Sequence, residues 1–242
     1  MRLTEDVMGM PVTIDVRDGD GDLDAAFAEL RRIDAVFSPF DQASAVSRIN
    51  DGRLRIADAG AEVSDVLALC DAYGRATGGF FSAWRGRVLD PSGLVKGWAI
   101  ARACAILDAG GHRSYFVDAG GDVRTRGNNG DGEPWRIGIR HPVDRGSVVR
   151  VLLGRDLAIA TSGTYEKGRH IYDPHTGAPV RELVSLTVVG PSIVEADVQA
   201  TAAFAMGRQA LAYLETVPGY EAYAIGPDLR ATWTSGFDAW CG

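Results

Sequence analysis

Helical and strand periodicities occupy different parts of this chain of 242 residues, and that segregation constrains the fold more than any other feature. Leu23, Phe27, Leu30, Ile33 and Phe37 recur at three- and four-residue steps and predict an amphipathic helix. A second helix is predicted over residues 61–77, with Val63, Val66, Leu67, Cys70 and Tyr73 on one face and Gly78-Gly79 closing it. A third follows the turn Asp90-Pro91-Ser92-Gly93, runs over residues 95–108 and stops at Gly110-Gly111. Only residues 10–16 alternate as a strand in this half. The second half reads mostly as strands, over residues 114–118, 135–140, 147–153, 157–161 and 184–189. An alanine-rich helix over 195–206, a further one over 209–215 and a last hairpin of 221–225 with 231–234 complete the pattern. Helices and strands do not alternate regularly. That predicts an α+β fold with a mixed or antiparallel sheet packed with helices, not a doubly wound one. No repeat or linker divides residues 1–242, so a single domain is expected.

Composition narrows the function classes. The net charge is −7 with no basic block, which argues against nucleic acid and anionic membranes as partners. Cys70, Cys104 and Cys241 are odd in number, far apart and without a CxxC pair, as expected in a reducing compartment. No apolar run is long enough to span a membrane, and Met1 to Asp6 do not begin a signal peptide. A cytoplasmic location without membrane insertion is the expectation.

Four segments could carry chemistry. Asp197 and Thr201, four residues apart on a predicted helix, share one face and offer the hard oxygen ligands that Mg2+ prefers. An acidic residue in the first turn favouring the helix dipole is the plainer reading of Asp197. In Thr161-Ser162-Gly163, small residues let backbone N–H groups approach phosphate oxygens. His170 follows as an acid or base near neutral pH, or as a structural histidine. Asp173-Pro174-His175-Thr176-Gly177 also reads as an ordinary turn with His175 at the surface. Gly120-Gly121-Asp122 is a ligand cradle or a tight hairpin turn. Lys96, in the first turn of a helix, is a point charge for an anion or a solvated lysine.

In this order the segments resemble the FAD:protein FMN transferase family, also called ApbE-like. Met8-Gly9-Met10 is similar to its early Met-Gly-Thr, and Ser38-Pro39-Phe40-Asp41 with Ser44, Ser47 and Asn50 to its Ser-Pro-Tyr-Asp and Ser-x-x-Ser-x-x-Asn. Lys96-Gly97, Gly120-Gly121-Asp122, Thr161-Ser162-Gly163, His170 to Gly177 and Ala196 to Thr201 match further family patterns. The resemblance implies a T-fold-like architecture. It also implies Mg2+-dependent transfer of FMN from FAD to a Thr or Ser hydroxyl of an acceptor flavoprotein, with release of AMP. Asp197, Thr201 and the Gly93 carbonyl would hold the metal, and His170 would take the acceptor proton. Met8, Phe40, Gly79, Phe80, Phe81, Asp90, Lys96 and Ile171 would contact FAD. Phe40 replaces the family's Tyr, and Ser82 stands where a carboxylate is usual, which implies an altered ligand contact. FAD hydrolysis by water, or FAD binding without turnover, are the rival readings.

Overall fold

The computed structural model describes residues 1–19, 23–144, 146–164 and 171–242. The alternating pattern of β2 (Met10–Val16) buries Val12, Ile14 and Val16 on one face. Such one-sided strands must cover that face with other elements. β1 (Arg2–Val7), β2, β5 (Tyr115–Ala119), β6 (Asp122–Arg126), β9 (Ala158–Gly163), β10 (Ser185–Gly190), β11 (Glu221–Ile225) and β12 (Ala231–Trp233) form one sheet in that order. Every neighbouring pair is antiparallel.

One face of the sheet carries α1 (Asp24–Phe37), α4 (Ser92–Ala109) and α5 (Ile193–Met206). In α1 the predicted stripe of Phe27, Leu30, Ile33 and Phe37 is buried. Val63, Val66 and Cys70 of α3 (Ala61–Ala76) join the same core. The short α6 (Ala210–Leu214) packs beside α5. The opposite face is covered in part by a separate hairpin of β7 (Trp135–Arg140) and β8 (Val148–Gly154). Ile139, Leu152, Ile159, Val189 and Phe237 make a second, smaller core there.

The structure adds elements that the sequence reading did not include. β1 is an edge strand with charged outward residues, β6 is polar, and α2 (Ala45–Asn50) is too short for a periodicity to emerge. α4 begins at Ser92, three residues before the predicted start. A small hairpin, β3 (Trp84–Arg85) with β4 (Val88–Leu89), precedes it. Among the described residues no helix is long and apolar enough to cross a membrane.

Candidate active site

Two hairpin turns and two helices converge at one end of the sheet. β1 and β2 are joined by Met8-Gly9, and β5 and β6 by Gly120-Gly121, each pair with φ positive at both residues. Two-residue loops of this kind suit the right-handed twist of the strands. Met8 holds a φ of 55° that non-glycine residues seldom adopt, and its N–H is held by Asp34 Oδ2 at 3.0 Å. Gly120-Gly121 is thus the tight turn of the plainer reading, and it delivers Asp122 to the helix side of the sheet.

There Lys96 Nζ lies 2.6 Å from Asp122 Oδ2 and 3.7 Å from Asp197 Oδ1. Asp122 and Asp197 are 1% and 3% exposed, so among the described residues two buried carboxylates share one site with the Lys96 ammonium. Asp122 Oδ1 accepts the Thr161 amide at 3.0 Å. Its Oδ2 receives no aligned hydrogen bond among the described residues and has the ammonium as counter-charge. Burial pushes the Asp197 carboxyl well above the ordinary carboxylate range; Lys96 opposes this, Asp122 adds to it, and the Gly97 N–H opposes it.

The packing of α4 on α5 sets this geometry. A Cβ on Gly97 would lie 2.7 Å from the Ile193 carbonyl oxygen and 2.9 Å from Asp197 Cβ, so only glycine permits the approach. The Gly97 N–H donates to Asp197 Oδ2 at 2.8 Å. In an α-helix that N–H would bond the carbonyl four residues back, that of Gly93. Asp197 therefore competes for the donor of a carbonyl in the first turn of α4. One turn along the interface, a Cβ on Gly93 would lie 3.3 Å from Thr201 Oγ1 and 3.4 Å from Phe81 Cε2. Gly93, Asp197 and Thr201, distant in sequence, thus line one seam.

Of the remaining candidate residues, Phe81 touches this seam and Asp90 stands at the start of the same helix. Asp90 Oδ1 accepts the Ser92 N–H at 3.1 Å at the start of α4. Phe81 is 2% exposed and packs edge-on to Tyr73, which places its ring beneath the seam. Phe80 meets His175 edge-on at 4.6 Å, and a Cβ on Gly79 would lie 3.1 Å from His175 Cε1. His175 is exposed, as the turn reading expects, and Asp173 accepts the His175 N–H and the Thr176 hydroxyl at 2.9 Å each. The guanidinium of Arg85 lies 4.7 Å from the Tyr172 ring centre. The 171–177 turn and the 79–85 segment are therefore docked on each other. Ile171 is half-buried against the main core. Phe40 is 88% exposed, which leaves its whole face open to a planar partner. Ser82 bonds the Trp84 backbone through its hydroxyl, at 3.0 Å to both N and O. His170 lies outside the described residues.

Two contributors escaped the sequence reading as members of the site. Asp122 stood within the Gly120-Gly121-Asp122 segment, read as a ligand cradle or a tight turn, with no role of its own. Asn50 donates to the Leu89 carbonyl at 2.8 Å and accepts the Leu89 N–H at 2.7 Å, mimicking a neighbouring strand. It fixes the segment immediately before Asp90; the Ser-x-x-Ser-x-x-Asn spacing was its only signal.

The sequence model described as the ApbE family matches residues 8–90 and 83–224. The FAD:protein FMN transferase of Vibrio cholerae is 40% identical over 131 residues, which cover 50% of this chain and 39% of that protein. Its Escherichia coli K12 counterpart is 31% identical over 159 residues, covering 61% of this chain and 45% of that one. The matched stretches thus span less than half the length of these relatives. The crystal structure of the ApbE protein of Thermotoga maritima has the same fold, with a TM-score of 0.86 over 100% of this chain and 99% of that one at 23% identity. The flavin transferase ApbE from Vibrio cholerae gives a TM-score of 0.84 at 25% identity, over 99% and 98% of the two chains.

Proposed function

From the membership of this chain in the ApbE family, we propose that it transfers FMN from FAD to a Thr or Ser hydroxyl of an acceptor flavoprotein and releases AMP. The observation that carries the reading is the closed cluster of Asp197, Asp122 and Lys96 beside the Gly93–Thr201 seam. Among the described residues two buried carboxylates face the Lys96 ammonium, and a further cation there would favour the ionised form of Asp197, which burial opposes.

The donor set fits Mg2+. The Asp197 carboxylate, the Thr201 hydroxyl and the Gly93 carbonyl are all hard oxygens, and the Gly93 carbonyl has a competitor for its helical donor. Bound there with phosphate oxygens and water, the ion would supply charge neutralisation at the diphosphate. The chain's own groups do the rest. Lys96, in the first turns of α4, offers a positive charge, and the N-terminal end of that helix favours anions. Phe40, with its open ring face, would stack on the flavin or adenine, and Met8, Gly79, Phe80, Asp90 and Ile171 would supply the further FAD contacts that the family resemblance implies. Phe81 supports the seam from below.

In the transfer, the acceptor hydroxyl oxygen forms a bond to the phosphorus of the FMN half. The bond from that phosphorus to the bridging oxygen breaks, and AMP leaves with the electron pair. His170 takes the hydroxyl proton. The experiment is incubation with FAD and Mg2+, with and without an acceptor flavoprotein domain. We expect flavin fluorescence covalently attached to the acceptor, an equal amount of AMP, and loss of both with EDTA. FMN appearing only in free solution would overturn the transfer, and activity persisting in EDTA would overturn the metal assignment.

A further inference from the structure

A cavity of about 470 Å³ lies on the other face of the sheet, between β5, β6 and the β7–β8 hairpin. It is lined by every residue of β7 and by none of β8. The two edges of this hairpin differ. The outer edge of β8 is met by residues 241–242, through a bridge from Leu152 to Cys241 and a bond from the Gly242 N–H to the Val151 carbonyl. β7 pairs with β8 alone among the described residues.

The register tells which groups of β7 point outward. The Val151 carbonyl faces Gly242, away from β7, and Gly138 stands opposite Val151. In an antiparallel pair, residues directly opposite point their N–H and C=O groups either both inward or both outward. The Gly138 groups therefore point out of the hairpin on the open side, and those of Arg136, opposite Leu153, do the same. An unpaired edge of this kind is a ready template for another extended chain.

The walls specify the chemistry of that chain. Arg136 and Arg140 are exposed and form no salt bridge among the described residues, in a protein of net charge −7. Arg17, paired with Asp15 at 2.8 Å, adds a third guanidinium. Asp118 is the single carboxylate in the lining, and its Oδ1 already accepts the Gly121 N–H at 2.8 Å. Phe116 and Trp135, edge-on at 5.4 Å, give an apolar wall. The cavity also reaches Gly120, Gly121 and Thr161. Thr161 is the residue whose amide holds Asp122, the partner of Lys96. A chain lying along β7 thus runs toward the turn that carries the reacting cluster.

We propose that the open edge of β7 docks an extended, acidic segment of the acceptor polypeptide, which adds to the hairpin as a third strand. Backbone bonds to Arg136 and Gly138 give the register, and Arg136 and Arg140 select acidic side chains. This rests on the transferase reading for the identity of the partner. The binding measurement needs no FAD, so failure of docking and failure of transfer are distinguishable.

The probe is a fluorescein-labelled peptide of about ten residues with a central Thr, alternating Val and Asp, as suits strand addition. Anisotropy with the wild-type chain should show saturable binding. An Asp→Asn version of the peptide, and the Arg136→Glu/Arg140→Glu variant of the protein, should each bind roughly tenfold more weakly or worse. Arg230→Glu, at an exposed turn elsewhere, should leave binding unchanged. N-methylation of alternate peptide amides should abolish binding in one of the two registers, a test that alters nothing in the protein. Absence of peptide binding, or equal binding by the charge-reversed variant, overturns the proposal. So does a wild-type dimer in sedimentation that the charge-reversed variant lacks, since a second copy would then occupy the edge.

Discussion

Gly97→Ala tests the seam between α4 and α5 directly. The added Cβ would meet the Ile193 carbonyl oxygen at 2.7 Å, Asp197 Cβ at 2.9 Å and Val194 Cα at 3.1 Å, where ordinary contact begins at 3.4 Å. Two of these atoms belong to the backbone of α5 and cannot rotate away, so the helices must separate by several tenths of an ångström. Overpacking of this kind costs about 1–3 kcal/mol. Alanine in place of glycine inside a helix returns about 1 kcal/mol through propensity. The difference is a loss of up to about 2 kcal/mol. For a chain of this size that is a fall in Tm of up to roughly 8 °C. The larger effect falls on the site, because the contact that must yield includes Asp197 and its bond to the Gly97 N–H. Denaturant unfolding should give the stability loss, and FAD titration with Mg2+ should show affinity weakened more than tenfold. A variant that melts at or above the wild-type temperature, with unchanged affinity, would refute the close-packing account.

Other perturbations separate the roles of individual residues. Asp197→Asn removes a buried charge while keeping an acceptor for the Gly97 N–H. Because the folded carboxyl titrates above its usual value of 3.8, the stability of the protonated form is full below that value and is lost as pH rises toward the raised one. The Asn variant should therefore melt higher than wild type at pH 8 in EDTA, by the order of 1 kcal/mol or more, with a flatter pH profile and no metal-dependent activity; a lower Tm would contradict this. Asn50→Ala removes both bonds to Leu89 and should cost about 1–3 kcal/mol. It should raise KM for FAD more than it lowers kcat; steady-state kinetics in which only kcat falls would deny it a positioning role. His170→Ala should still bind FAD, measured by flavin fluorescence, but slow transfer about 10²–10⁴-fold, and unchanged turnover would remove it as the base.

The sequence by itself determined the element types, because hydrophobic periodicity is local. The stripes of α1 and α3, the alanine-rich α5 and the short strands of the second half were all legible, and with them an α+β fold. It also carried the motif residues, since each is a short pattern. It could not show which sides of those motifs face each other. Lys96, Asp122 and Asp197 are three separate polar residues in the chain, and only the antiparallel sheet and the approach of α4 to α5 make them one ionic cluster. Gly97 has no visible purpose until a neighbouring backbone lies 2.7 Å from its missing Cβ. The tight turn at Gly120-Gly121 was a legible alternative, but not that it would aim Asp122 at a lysine on the helical layer. Nor could composition reveal the open edge of β7: edge status depends on which strands are absent beside it, and that is decided by tertiary pairing alone.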